Sequence, residues 1–221
     1  MNVTTIILCG GKGRRFGGKS KGTAVVDGKR IIDRIIERVH PISSQILIVT
    51  SVENSNIPVG NEIKIVTDKY PATGPLGGIY TGLTAAENPV SIVVGCDMPF
   101  INNRLLKRMV DITDNYDAVI PRLGKEMVEA LHSVYRKTCI PVMQEDLEKG
   151  KLSIYKVIDK LNVRYMQRDE YQSIDPRMLS FLNINYPEDL ERANRLALTE
   201  DTTGFLREDG NAQPPPAPST L

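Results

Sequence analysis

The sequence predicts an α/β fold with a mainly parallel sheet. Short apolar, β-branched runs recur along the chain, and stretches with apolar residues at helical spacing lie between most of them. Strands that alternate with helices are typical of a parallel sheet that is covered by helices. Because right-handed crossovers bring the carboxyl ends of such strands to one edge, we expect the ligand site at that edge.

Six apolar runs are predicted as strands and four periodic stretches as helices. The predicted strands are residues 3–8, 45–50, 62–66, 91–94, 118–120 and 131–135. The predicted helices are residues 31–39, 76–86, 105–110 and 142–147. Farther on, residues 181–185 are predicted as another short strand, and a helix is predicted to begin near Pro187, since proline suits a first helical turn.

The end of the chain differs in composition from the rest. From Thr199 onward it is polar, and residues 213–218 read QPPPAP. Such a segment cannot bury a core. We therefore predict a single Rossmann-like three-layer domain over residues 1–198, followed by a Pro-rich disordered tail over residues 199–221.

Charge and cysteine content limit the classes of function. The 221 residues carry 28 basic and 27 acidic side chains, so nothing indicates binding to nucleic acid or to a membrane. No secretion signal or membrane-span pattern is legible, which predicts a cytoplasmic protein. Three cysteines without C-x-x-C spacing disfavour a structural zinc site or a disulfide framework.

The densest group of functional residues follows the first strand. Residues 8–22, LCGGKGRRFGGKSKG, contain six glycines and five cationic side chains. Glycine allows a backbone to approach a ligand closely, and Arg and Lys supply charge for a polyphosphate. We therefore predict that this loop binds the phosphates of a nucleotide.

Three other interpretations of the loop compete with this one. Residues 13–20 match the P-loop pattern G-x-x-x-x-G-K-[ST], which would make Lys19 the phosphate-binding lysine. That pattern needs a helix at the lysine, whereas residues 23–29 indicate a short β run and a turn. The dinucleotide pattern G-x-G-x-x-G has Phe16 in place of its third glycine. A solvated surface loop is the remaining alternative.

Two acidic residues and two histidines are further candidates. Asp97 follows a predicted strand, so its carboxylate belongs at the carboxyl edge of the sheet, although it could instead cap a helix. Asp68 precedes a Gly-Pro turn and is either a ligand acceptor or a turn residue. His132, alone in a strand, is predicted to be structural rather than a general base, and His40 to cap a helix.

Four ordered segments resemble a known family. Residues 8–17 with Lys21 resemble the signature L-A-G-G-x-[SG]-x-R-[MF]-G-x(n)-K of nucleotidyltransferases that open with a glycine-rich loop. Residues 74–78 (GPLGG), 96–100 (CDMPF) and 183–187 (NINYP) are similar to that family's G-P-L-x-G, C-D-x-P-[FY] and N-[VI]-N-T-P. The resemblance covers about residues 3–197 and is strongest to the molybdenum cofactor guanylyltransferase family.

The resemblance implies roles for individual residues. The first loop residues would line the guanosine, two cations would neutralise the phosphates, and Asp97 would bind Mg²⁺, with Asn185 as a second metal ligand. Asp68 would accept hydrogen bonds from guanine, and Thr50 stands where the family often has Asn near the nucleotide. Cys9 replaces the usual Ala. The implied catalytic residues are Arg14, Lys21 and Asp97. The implied nucleotide-binding residues are Leu8, Cys9, Gly10, Gly11, Lys21, Thr50, Asp68 and Asp97.

The reaction implied is transfer of GMP from MgGTP to the terminal phosphate of molybdopterin bearing molybdenum, with release of pyrophosphate. The partners implied are GTP, a molybdopterin-type acceptor, and other molybdenum cofactor biosynthesis proteins or target apoenzymes. We expect the acceptor pocket around residues 121–133 and 151–156, where Lys151 and Lys156 could meet a phosphate. The alternatives are cytidylyl or other nucleotidyl transfer to a phosphorylated acceptor, and a non-catalytic GTP-binding module.

Overall fold

The computed structural model describes residues 2–10 and 23–198 of the chain. Nine strands and seven α-helices lie within these ranges. The strands are β1 (Val3–Leu8), β2 (Val25–Val26), β3 (Lys29–Arg30), β4 (Gln45–Thr50), β5 (Ile63–Thr67), β6 (Val90–Gly95), β7 (Ala118–Pro121), β8 (His132–Arg136) and β9 (Val163–Met166). The helices are α1 (Ile31–Val39), α2 (Pro75–Ala85), α3 (Asn103–Asp111), α4 (Ile140–Glu148), α5 (Ile154–Ile158), α6 (Arg168–Gln172) and α7 (Pro187–Ala197).

Seven of these strands form one sheet in the order β5-β4-β1-β6-β8-β7-β9, and β2 and β3 form a separate hairpin. Strand β8 runs antiparallel to both of its neighbours, while the other pairs in the sheet are parallel. This confirms the prediction of an α/β fold with a mainly parallel sheet. It also confirms that strands β5, β4, β1 and β6 all end at the same edge.

The sheet buries apolar side chains on both faces. Because successive side chains of a strand point to opposite faces, Ile7 of β1 packs with Ile35 of α1 and Leu105 of α3. Ile6 lies on the other face, in a second core with Leu83 of α2. Helices therefore cover both faces, as the predicted three-layer arrangement requires.

Helix α2 lies unusually close to β1 because glycines face the sheet. A Cβ on Gly82 would lie 2.5 Å from Ile6 Cγ2, and one on Gly78 would lie 3.3 Å from Leu8 Cδ2. Glycine costs about 1 kcal/mol relative to alanine inside a helix. At these two positions, close packing of the helix on the sheet offsets that lower helix propensity. The close approach holds the first turn of α2 beside the carboxyl end of β1.

The predicted strand over residues 181–185 is wrong. Leu179–Phe181 forms a 3₁₀ helix, and residues 182–185 have no regular structure. The cause is Asp175, whose carboxylate accepts hydrogen bonds from the backbone N–H groups of Leu179 (3.3 Å) and Ser180 (2.9 Å) and turns the chain. The helix predicted at Pro187 does form, as α7.

His132 is structural, as the sequence indicated. Its side chain is fully buried, its ring lies edge-on against Phe181, and neither ring nitrogen has a hydrogen-bond partner among the described residues. Burial lowers the pKa of His132 to about 3, below its ordinary value of 6.5. The imidazole is therefore neutral in the folded protein at neutral pH. His40 lies at the carboxyl end of α1, the position predicted for it.

Acid is expected to destabilise the fold through His132. Because the folded-state pKa lies below the unfolded value, the neutral form contributes full stability above about pH 6.5, and this is lost as the pH falls toward about 3. We expect His132 alone to reduce the free energy of unfolding by about 2 kcal/mol between about pH 8 and about pH 5. Urea unfolding at both pH values measures this change.

Variants of the two histidines of the chain test whether His132 causes this pH dependence of stability. His132→Leu is expected to remove that part of the pH dependence, whereas His40→Gln, at an exposed position, keeps it. An equal pH dependence in wild type and His132→Leu would contradict the assignment.

None of the described helices is long and apolar enough to cross a membrane. Several predictions lie outside the described residues. These are the predictions for Gly11, Arg14 and Lys21 in the glycine-rich loop, and for the tail over residues 199–221. The domain boundary at residue 198 stays a prediction.

Candidate active site

Backbone hydrogen bonds tie together the carboxyl ends of four neighbouring parallel strands, β5, β4, β1 and β6, and the segment that leads into the antiparallel strand β8. Each bond joins a residue at or just beyond one strand end to the strand beside it, so the loops leave the sheet from a fixed edge. The bonds run from Asp68 N to Thr50 O (2.8 Å), from Cys9 N to Val49 O (2.8 Å), from Cys96 N to Leu8 O (3.1 Å) and from Gly95 N to Leu131 O (3.0 Å). The predicted nucleotide-binding residues that the structure describes therefore share one edge.

The glycine-rich loop begins from a rigid base. Leu8 and Cys9 are buried, and Gly10 is the first exposed residue of the run. Thr50 is fully buried, and its hydroxyl donates a hydrogen bond to the Cys9 carbonyl (3.2 Å). The structure thus gives the Thr50 side chain a supporting role beneath Cys9, and the nucleotide contact implied by the resemblance stays a prediction.

The thiols of Cys9 and Cys96 lie together under this edge. Their mutual hydrogen bond, burial and the nearby charge of Asp97 raise the pKa of Cys9 well above its ordinary value. A protonated, buried thiol is a poor nucleophile. Cys9 therefore packs as a small apolar residue, and covalent catalysis by it is disfavoured.

The structure confirms the turn interpretation of Asp68, and its role as a ligand acceptor stays a prediction. Its Oδ1 accepts hydrogen bonds from Tyr70 N (2.9 Å), as in an Asx turn, and from the Thr81 hydroxyl of α2 (3.1 Å). Within the described part of the chain, no hydrogen bond engages Oδ2. Asp68 is half-buried, so one oxygen fixes the side chain while the other remains an acceptor for a ligand.

Asp97 stands out by its exposure. Among residues 91–100 it is the only one that is not buried. Its backbone carbonyl accepts a hydrogen bond from Ile184 N (2.8 Å), which docks the segment over residues 183–185 against it. The structure assigns the capping of α3 to Asn102, whose side chain accepts from the N–H groups of Arg104 and Leu105. Asp97 is therefore not needed as that cap.

Gly95 makes room for the Asp97 carboxylate. A Cβ on Gly95 would lie 2.7 Å from Asp97 Oδ1, a distance that forces the carboxylate to move. We expect Gly95→Ala to lower the rate of the nucleotidyl transfer implied by the sequence resemblance by about tenfold, because a displacement of about 1 Å in a reacting group can cost up to about 100-fold. Steady-state rates of pyrophosphate release, with the melting temperature as a folding check, measure this effect.

Gly124→Ala is the matched control for this substitution. A Cβ on Gly124 would lie in ordinary contact with Met127, at 3.5 Å. The control is expected to keep the wild-type rate. Equal rates for Gly95→Ala and Gly124→Ala would show that the position of the Asp97 carboxylate does not matter.

Glu129 is an acidic residue at this edge that the sequence reasoning did not single out. Its Oε1 accepts a hydrogen bond from Leu131 N (3.0 Å). Burial raises the pKa of Glu129, and the charge of Asp97 adds to this shift. A glutamate before a strand belongs to no motif, and only the pairing of β8 beside β6 brings it toward Asp97.

The residues around Asp97 fit a hard divalent cation. Asp97 supplies carboxylate oxygen, and Asn185 follows Ile184, which is hydrogen-bonded to Asp97, so an amide oxygen can come from the same place. Mg²⁺ takes oxygen ligands and usually completes its shell with phosphate oxygens and water. Within residues 2–10 and 23–198 no cluster of three His, Cys, Asp or Glu forms an all-protein metal cage. One carboxylate with ligand phosphates is the arrangement that the described residues can supply.

Comparisons with known proteins identify this sheet with its edge site as a nucleotidyltransferase. The MobA-like NTP transferase domain family matches residues 5–165. A molybdenum cofactor guanylyltransferase from Desulfosudis oleivorans is 36% identical over 195 residues, covering 86% of this chain and 94% of that protein. The chain belongs to the family of MobA-like NTP transferases, and it is an enzyme of that type.

Solved structures agree with this assignment. Molybdopterin-guanine dinucleotide biosynthesis protein A from Archaeoglobus fulgidus superposes with a TM-score of 0.76 at 26% identity, covering 89% of this chain and all of that one (100%). The 2-C-methyl-D-erythritol 4-phosphate cytidylyltransferase from Thermus thermophilus superposes with a TM-score of 0.70 at 16% identity, covering 90% of this chain and 100% of that one, which shows a shared fold. Nucleotidyltransferases of this family typically use a divalent metal.

Proposed function

We propose that this enzyme transfers GMP from MgGTP to the terminal phosphate of molybdopterin that carries molybdenum, releasing pyrophosphate. The observation that carries the proposal is the row of Asp68, Cys9 and Asp97 at the ends of β5, β1 and β6 along one sheet edge. The name of the relative from Desulfosudis oleivorans supports the same choice of nucleotide and acceptor.

The row of residues suggests an orientation for the nucleotide. Guanine offers N1–H and N2–H₂ donors, which the open carboxylate oxygen of Asp68 can accept. The loop that begins at Gly10 would carry the phosphates, with Arg14 and Lys21 neutralising their charge. Asp97 lies one strand farther along, where the α-phosphate would meet the acceptor.

The chemistry needs no strong base. An oxygen of the acceptor phosphate forms a bond to the α-phosphorus of GTP, and the bond from that phosphorus to the oxygen bridging to the β-phosphate breaks, so that pyrophosphate leaves. The attacking phosphate is already anionic, which agrees with the burial of His132 away from solvent. Bound Mg²⁺, held by Asp97 and Asn185, would neutralise phosphate charge. The protein supplies positioning and electrostatic stabilisation.

Calorimetric titration with GTP and with CTP, each with Mg²⁺, tests the choice of nucleotide. We expect GTP to bind more tightly, because Asp68 offers an acceptor to the two guanine donors, whereas cytosine presents one exocyclic amino group beside acceptors. Tighter binding of CTP would overturn the guanylyl assignment. A non-catalytic module would bind GTP without releasing pyrophosphate when the acceptor is supplied.

A further inference from the structure

A pocket of about 340 Å³ opens at the start of β8, the strand next to β6, which Asp97 follows. It lies between Pro75 at the start of α2, the chain just before β8, and the segment that leads into α5. Along the sheet edge, Asp68, Cys9 and Asp97 follow β5, β1 and β6, and the pocket begins at the next strand, β8. An acceptor in this pocket would approach Asp97 from the β8 side of the sheet edge.

The lining combines apolar walls with one carboxylate. Leu131, Leu152 and Tyr155 line it, together with Glu129. Leu152 and Tyr155 are 43% and 54% exposed, so large apolar surfaces remain open at this pocket. Small-molecule sites typically have this character, with apolar walls and a few polar groups that fix orientation.

The position of Glu129 is fixed, but its capacity to accept hydrogen bonds is not exhausted. Its carboxylate accepts a hydrogen bond from Leu131 N (3.0 Å), whereas a carboxylate has about four acceptor sites. A ligand edge with two adjacent N–H donors would match the acceptor sites that remain.

We propose that this pocket binds the ring system of the acceptor, and that Glu129 recognises the 2-amino-4-oxo edge of a pterin. The inference rests on the proposed function for the identity of the acceptor. Apart from Pro75, the lining of this pocket falls within the two segments expected from the sequence, residues 121–133 and 151–156, and the inference adds Glu129 as the residue that determines specificity. Tyr155 and Leu152 supply flat and apolar contacts for the ring, and the acceptor phosphate extends toward Asp97.

Fluorescence titration with free pterin and with lumazine tests the proposal. Lumazine has an oxygen in place of the 2-amino group, so it presents an acceptor to the Glu129 carboxylate. We expect wild type to bind pterin about 10-fold to 100-fold more tightly than lumazine, the range for hydrogen bonds to a charged group. Glu129→Gln is expected to bring the ratio close to one, since the amide keeps the bond from Leu131 but places N–H₂ toward the ligand donors.

Control variants separate recognition from folding. Glu191→Gln, at an exposed position of α7, is expected to keep the wild-type ratio, and Leu152→Ala is expected to weaken both ligands equally. The affinity of Glu129→Gln for MgGTP should equal that of wild type. Absence of saturable pterin binding to wild type, or an unchanged ratio in Glu129→Gln, would overturn the proposal.

The outcomes also distinguish this inference from the proposed function. If wild type transfers GMP to molybdopterin and Glu129→Gln has the same KM for that acceptor, the pocket assignment fails while the reaction stands. If wild type binds pterin as expected but transfers no GMP, the proposed reaction fails and the pocket assignment stands.

Discussion

Asp97→Ala is expected to lower the rate of pyrophosphate release from MgGTP and acceptor by about 10²–10³-fold, the usual cost of removing one electrostatic contact to a transition state. Asp97 is the one partly exposed residue in a buried run at the carboxyl end of β6, and Ile184 holds its carbonyl at 2.8 Å. Its carboxylate is therefore presented at the sheet edge by fixed backbone. A continuous pyrophosphate-coupled assay at saturating nucleotide measures the rate.

Two further substitutions test whether the loss of activity is due to the charge at position 97. Asp97→Asn keeps the size of the side chain above Gly95 but removes its charge, and it is expected to lose nearly as much activity. Asp114→Ala, in an exposed turn, is the matched control and should keep the wild-type rate. Near-full transfer by a folded Asp97→Ala protein would remove Asp97 from the catalytic machinery.

Lys21→Ala is expected to reduce the same rate by about 10²–10³-fold, because the lysine would lose its stabilisation of charge on the phosphates. Lys19→Ala is the matched control, two residues away in the same loop, and is expected to have a small effect. Single-turnover measurements with MgGTP and acceptor separate this loss from a change in product release.

The P-loop alternative makes the opposite prediction for the two lysines. It requires severe loss in Lys19→Ala, little loss in Lys21→Ala, and steady hydrolysis of GTP or ATP without an acceptor. That pattern would overturn the assignment of the loop to nucleotidyl transfer. Both lysines lie outside the described residues, so the expectation rests on the sequence resemblance.

Local sequence patterns were sufficient for most of the sheet. The run over residues 3–8 is apolar and β-branched, which predicts a strand buried on both faces, and β1 has those bounds and lies between β4 and β6. The position of Asp97 just past such a run was enough to place it at the carboxyl edge of the sheet, where the ligand site is expected. The strand that runs antiparallel, β8, could not be distinguished by its composition.

Elements near the end of the chain were harder to predict. Strand β9 and the short helices α5 and α6 were not predicted, since four or five residues are too few to show a period. The run over residues 181–185 resembles a strand in composition, but it joins no ladder, and Ile184 instead bonds to the Asp97 carbonyl. Tertiary contacts overrode the local preference there.

In the candidate site, too, some residues could be predicted from the sequence and others could not. Asp68 and Asp97 follow strands and belong to motifs, so the sequence could name them. The supporting role of Thr50 depends on a contact with Cys9 across 41 positions, and the place of Glu129 depends on strand order. Neither relation is visible before the chain is folded.

Incubation of the purified enzyme with MgGTP labelled on the α-phosphate and molybdopterin bearing molybdenum tests the central claim most directly. We expect label to enter the acceptor and pyrophosphate to appear in equal amounts, with neither product formed when the acceptor is omitted. Binding of GTP without transfer, or release of inorganic phosphate in place of pyrophosphate, would contradict the assignment of this enzyme as a guanylyltransferase.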